Sequence, residues 1–211
     1  MAVGRTAIAG SQESLAVGSH ARAANQSLAM GVNAEHPGRG VVLGNNIRPS
    51  DEVSRAVIVG GDNKADGNFD LLTVIGFGAN ALDTGATAIG YNAQSAMNAT
   101  AVGREADATN RTTVVGANAD AGGNTIGAVA IGQSASVGPN FGVALGEGAA
   151  VNHSNSVAVG RESETTADDQ VMVENRDIEM TNQKGPVIED SNGDRYRITV
   201  DTKGNLDTEP L

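Results

Sequence analysis

Glycine recurs along this chain in one register. The marks are Gly4, Gly18, Gly31, Gly44, Gly60, Gly76, Gly90, Gly103, Gly116, Gly132, Gly146 and Gly160, at intervals of 13, 14 or 16 residues. Each closes a short apolar run, as in Ser14-Leu15-Ala16-Val17-Gly18 and Ser156-Val157-Ala158-Val159-Gly160. Three residues after the mark comes Ala in nine of the twelve units; the exceptions are Ile47, Asn63 and Ser163. Twelve marks in one register define a repeat protein, and a repeat this short cannot bury a core alone.

The alternation of Val157 and Val159 about Ala158 predicts a short strand. The glycine after it predicts a corner at positive φ or in close contact, where a Cβ is not tolerated. A second extended piece of the Ala-x-Ala kind then begins, as in Ala7-Ile8-Ala9 and Ala21-Arg22-Ala23. The expected fold is all-β, a parallel β-solenoid of about twelve coils. A helix fits poorly: glycine costs about 1 kcal/mol per interior site, and no 3.6-residue stripe is present. Composition agrees. Of 211 residues 28 are Gly, aromatics are 2%, and Trp and Cys are absent. The interior must therefore be Ala, Val, Ile and Gly, which counts against the core of a conventional globular enzyme.

A coil of about 14 residues encloses little volume, so stacking must supply the burial. Both faces of strands such as Ala128-Val129-Ala130-Ile131 are small or apolar. One face fills the roll and the other should meet another chain. A homotrimer about the long axis is expected. Twelve coils at the strand spacing of about 4.8 Å give a rod about 58 Å long.

These residues resemble the head repeats of YadA-like trimeric autotransporter adhesins, whose pattern is close to Ser-Ile-Ala-Ile-Gly-x-x-Ala-x-Ala. Positions 14–23, 86–95, 99–108 and 156–165 follow it most closely. The resemblance covers roughly residues 1–165. It implies a left-handed parallel β-roll, three chains per rod and a role in adhesive contact. Such an adhesin is expected to carry a signal peptide, a heptad stalk and a C-terminal barrel anchor, and none is read here. Residues 166–184 read as a connector with strand-like Val171-Met172-Val173, and 171–211 as a separate small β region. Within it, residues 185–211 read as a hairpin module: Pro186-Val187-Ile188-Glu189 and Arg195-Tyr196-Arg197-Ile198-Thr199-Val200 flank Asn192-Gly193, a hairpin signal, and a second turn follows at Lys203-Gly204-Asn205. This module resembles the terminal segment of phage tail-fibre proteins. The first expectation is therefore a bacteriophage tail fibre or spike in a virion, with another virion protein at one end and a host receptor, protein or glycan, as contact. The alternatives are a bacterial surface adhesin head and a capsid decoration fibre.

Charge narrows the partners. The net charge is −11, with −4 on residues 1–160 and −7 on 161–211. Without a basic stripe, nucleic acid is not an expected partner, and no apolar run reaches membrane-span length. No cofactor, metal site or catalytic residue is expected, and an enzyme is the weakest reading. Arg104-Glu105 and Arg161-Glu162 read as solvated corner charges. His20, His36 and His153 read as lone exposed corner histidines, with no ligand spacing among them. The 16-residue units must hold extra residues as loops, which often bind. The candidate binding loop is Asp62, Asn63, Lys64, Asp66, Asn68 and Phe69. Its oxygen ligands faintly resemble a calcium loop but lack the bidentate Glu.

Overall fold

The computed structural model describes residues 1–50, 53–65, 70–123, 125–173, 186–200, 203 and 205–211. The chain forms two units, Met1–Asn175 and Arg176–Leu211.

The first unit is a parallel β-solenoid. One wall is a sheet of thirteen strands, one per coil, running from Ala2–Val3 to Val171–Val173. Each strand pairs in parallel with its neighbour one repeat away. Thr87, Ala88 and Ile89 face Thr100, Ala101 and Val102, so equivalent residues form columns along the stack. The other wall is built from two-residue strands such as Asn80–Ala81, Gln94–Ser95 and Asp107–Ala108. Single bridges such as Asp107 to Asp120 and Asp120 to Ser136 continue it. Among the described residues there is no helix. Val171–Val173, read above with the C-terminal region, instead pairs in parallel with Val157–Val159 as a further layer of the roll. Its Val-Met-Val alternation repeats the strand pattern without a closing glycine.

Two corners turn each coil. All twelve marking glycines have φ between 116° and 145°. Their deeper constraint is contact. A Cβ on Gly90 would sit 2.6 Å from the carbonyl carbon of Gly103 one coil on, and eleven of the twelve meet the next glycine's backbone in this way. The glycines thus form a bare column on which successive corners rest directly. The second residue after each mark is also left-handed, and in six coils it is Asn or Gly: Asn33, Asn46, Gly78, Asn92, Asn118 and Gly148. These residues tolerate that region best. Where it is Glu105, the strain is offset by a ladder bond, the Glu105 N–H donating to Tyr91 O at 2.8 Å. The opposite corner repeats the device five residues before the next glycine, at Asn98 and Arg111 for example.

The core is one side chain deep from each wall. The middle residue of the long strand is buried in every coil from Ala16 to Ala158, facing the Ala21, Ala34, Ala79, Ala93 column. Size is balanced across this gap. Val137 and Val151 on the short wall lie opposite Gly142, where an added Cβ would come within 2.6 Å of one and 2.8 Å of the other. We expect Gly142→Ala to destabilise the roll by about 1–3 kcal/mol through overpacking, and Val137→Ala in the same chain to recover part of that loss. Urea unfolding of the two single variants and the double variant measures it; strictly additive losses would contradict the balance.

The second unit is a three-stranded antiparallel sheet of Val187–Glu189, Arg195–Val200 and Leu206–Pro210. Ile188 faces Tyr196, and Ile198 faces Thr208. At its first turn Asp190 Oδ1 accepts from the N–H groups of Asn192 and Asp194 at 2.9 and 3.0 Å. That carboxylate closes the turn, with Gly193 at φ 89°.

Candidate functional site

Of the candidate binding loop, Asp62, Asn63 and Lys64 are among the described residues. Asp66, Asn68 and Phe69 lie outside them. Asp62 stands exposed at the first corner, in the left-handed position two residues after Gly60. Lys64 points outward from the short wall, its backbone bridged to Asn80. Asn63 is buried, at 5% exposure, in the column otherwise held mostly by Ala. Its Nδ2 donates to Val59 O at 3.0 Å and its Oδ1 accepts from the Ala79 N–H at 3.1 Å. Asn63 thus staples two coils together and has no free surface to offer. The register already held this signal, since Asn63 stands where nine other units have Ala.

Of the histidines, His20 stands at an exposed corner as expected, and the other two differ. His20 is exposed, with its Nδ1 2.8 Å from Thr6 Oγ1 on the previous coil. His153 is half-buried and its Nδ1 lies 2.9 Å from Thr165 O. His36, expected at an exposed corner, is 1% exposed. It occupies the short-wall core column, and Gly40 opposite makes room: a Cβ there would fall 2.5 Å from His36 Nε2. Nδ1 accepts from the Gly38 N–H at 3.1 Å, and Nε2 makes no hydrogen bond of normal geometry. Burial lowers the His36 pKa, and the nearby Ala56 backbone opposes this only in part. The folded chain therefore resists a proton that the unfolded chain accepts near pH 6.5. Stability is expected to be full above that pH and to fall as pH drops below it, down to the lowered folded value. His36→Val, which copies the Val137–Gly142 pairing, should remove this part of the slope in thermal melts between pH 7.5 and pH 5. An unchanged slope would contradict the assignment.

The surface charges behave as read from the sequence. Arg104–Glu105 and Arg161–Glu162 are exposed pairs at 3.2 and 3.1 Å, a class that contributes little to stability. On the short wall, Asp107 has its carboxyl pKa raised by burial first and by Asp120 second. Among the described residues no three ligating side chains group to hold a metal.

Two surface features stand out. The first is the outer face of the long-strand sheet. The residue immediately before each marking glycine is aliphatic in all twelve coils, from Val3 through Ile89 and Val102 to Val159. Most are half-buried by their column neighbours, and Val3, Met30, Ile75, Ile131 and Leu145 remain between 36% and 46% exposed. The residue two before them on the same face is Val, Leu or Thr in most coils, with Thr73, Thr87, Thr100 and Thr113 in succession. The outward column of the short wall is different: it carries Arg22, Glu35, Arg48, Lys64, Asn80, Gln94 and Asp107. One face of the roll is apolar along its length, and the other is solvated.

The second feature lies at the first corner. Phe77 and Tyr91 follow Gly76 and Gly90 directly, so they stand one above the other. Their rings stack with centroids 6.2 Å apart and planes 9° apart, and both are about half exposed. Gly61 occupies the same position one coil earlier, and an open groove lies over it. The signal for this pair in the sequence is its one-residue offset from consecutive marks, Gly76 and Gly90.

Comparison with known proteins gives a family match to two stretches of the roll. The YadA head domain repeat matches in two copies, at residues 73–93 and 140–163. Among solved structures, the collagen-binding domain of the Yersinia adhesin YadA is similar at 22% identity, covering 84% of this chain and 75% of that one, with a TM-score of 0.41. A search of curated protein sequences finds no match. Residues 73–93 and 140–163 of the stacked coils thus match the YadA head domain repeat.

Proposed function

We propose that the chain is the head of a homotrimeric surface adhesin, a stiff rod that presents contact surfaces at a distance. The observation that carries this is the aliphatic outer face of the long-strand sheet. An acidic chain leaves a continuous column of Val, Ile, Leu and Met on one side only, and a face of that kind marks an association surface. Rotation about the rod axis brings the same coil of each copy to the same height, so every level of the column meets its equivalent. The number three comes from the resemblance to trimeric adhesin heads. The matched repeat is that of a bacterial adhesin head, and it supports the cell-surface reading over the tail-fibre, spike and capsid-fibre readings. In this organisation the stacked coils through Val171–Val173 are the rod, and Arg176–Leu211 is a separate unit. Adhesion follows from multiplied weak contacts, each copy raising the effective concentration of the others, with no catalytic step. Light scattering on the purified chain tests the assembly. A mass of about 64 kDa, three times 21.3 kDa, is expected at micromolar concentration, and a monomer would overturn the proposal.

A further inference from the structure

The residue after each corner glycine forms a ladder of outward side chains, one rung per coil. Around the groove the rungs are Asn45, Gly61, Phe77 and Tyr91. Gly61 leaves its rung empty. Phe77 leans over the gap, its ring carbons 3.3 and 3.4 Å from where a Gly61 Cβ would stand. Tyr91 braces Phe77 from the far side by stacking. One ring face is thus held in place and turned toward an opening of about 660 Å³.

The remaining lining mixes the exposed Val32 with polar side chains. Asn33 Nδ2 donates to Asn46 Oδ1 at 3.3 Å, and Asn46 Nδ2 donates to Asp62 Oδ1 at 3.2 Å. Asn45 Oδ1 accepts from the Val32 N–H at 3.1 Å. Asn45 Nδ2 and Asp62 Oδ2 carry no hydrogen bond among the described residues. The groove therefore offers one aromatic face, one free amide donor and one free carboxylate acceptor, each on a rigid corner.

We propose that this groove is a glycan subsite, taking one neutral pyranose ring with its C–H face on Phe77 and neighbouring hydroxyls on Asn45 and Asp62. A saturated ring has an apolar face and an edge of donor–acceptor hydroxyls, which is the pairing the walls present. Asp62 and the net charge of −11 disfavour acidic sugars and phosphates. The proposal rests on the adhesive-rod reading for its purpose, since three weak subsites need multivalency to hold a surface.

The full-length chain tests it directly. The chain has two tyrosines, Tyr91 and Tyr196, so fluorotyrosine labelling gives two ¹⁹F signals, one from the ring stacked behind Phe77 and one as internal control. The probes are the methyl glycosides of glucose, galactose, mannose and N-acetylglucosamine. At least one should move the Tyr91 signal and leave Tyr196 in place. Gly61→Asn fills the rung without positive-φ strain, because the other units of this ladder carry side chains there. It should weaken the response about tenfold or more, as should Phe77→Leu. An unmoved Tyr91 signal with all four sugars, or an unchanged response in Gly61→Asn, overturns the subsite. Light scattering on the same samples keeps the two readings apart. A trimer without a Tyr91 response removes the subsite alone; a monomer that responds removes the adhesive trimer alone. A fall in mass on Phe77→Leu would make the ring an inter-chain contact and also overturn the subsite.

Discussion

Gly90→Val is expected to destroy the cooperative unfolding of the roll. The new Cβ would stand 2.6 Å from the carbonyl carbon of Gly103, and that backbone is itself fixed by the coils beyond it. Gly90 also lies at φ 138°, where a β-branched residue is a severe outlier. Neither fault can relax locally, because moving one corner moves the column above it. The cost should reach about 4 kcal/mol or more, the range reserved for broken backbone constraints. Gly61→Ala is the matched control: it is one residue past a mark, and its nearest neighbour is the ring edge of Phe77 at 3.3 Å. It should change stability by about 0.5 kcal/mol or less. Circular dichroism melts of the two variants separate a stacking column from a mere preference for flexible corners. Equal melting temperatures would contradict the column.

In the proposed trimer, Val102→Asp combined with Ile131→Asp is expected to release monomers. Both residues lie on the outer face of the long-strand sheet, two coils apart. In the trimer each copy would bury a carboxylate against apolar side chains with no cation facing it. An uncompensated buried charge costs about 3–5 kcal/mol, and threefold symmetry repeats that cost at each level. The same two carboxylates are harmless on a free monomer surface, so the variant should stay folded by circular dichroism while its mass falls to about 21 kDa. Asn80→Asp with Gln94→Asp, on the solvated wall, is the control and should leave the mass unchanged. A trimer that survives the first pair would place the interface elsewhere.

Much of this fold is legible in the sequence because the repeat reports backbone geometry directly. A glycine required at each coil by the carbonyl of the next cannot drift, so the twelve marks survive as a register. The Ala three residues on is fixed by the same narrow gap. Side chains that break the column pattern are harder to place. Asn63 and His36 carry polar groups associated with surfaces, yet the column positions bury them. The register gives their column, but not that Gly40 opposite His36 opens the space for an imidazole. The candidate loop is only partly described: extra residues in a 16-residue unit say that something bulges, not which residues do, Asp62 to Lys64 continue the regular corner and wall, and Asp66, Asn68 and Phe69 lie outside the described residues. The Phe77–Tyr91 pair was hidden by sequence distance: fourteen residues separate two rings that the coil brings to one edge.

Spin-label distances measure the central claim, a roll buried between copies through its long-strand face. The chain has no cysteine, so each single substitution carries one label per copy. Thr100→Cys places it on the apolar face, and Gln94→Cys places it on the solvated wall. The account predicts one short intermolecular distance at position 100 and a longer one at position 94, each shared by three equivalent labels. A shorter distance at 94 than at 100, or no intermolecular distance at either position, would contradict it.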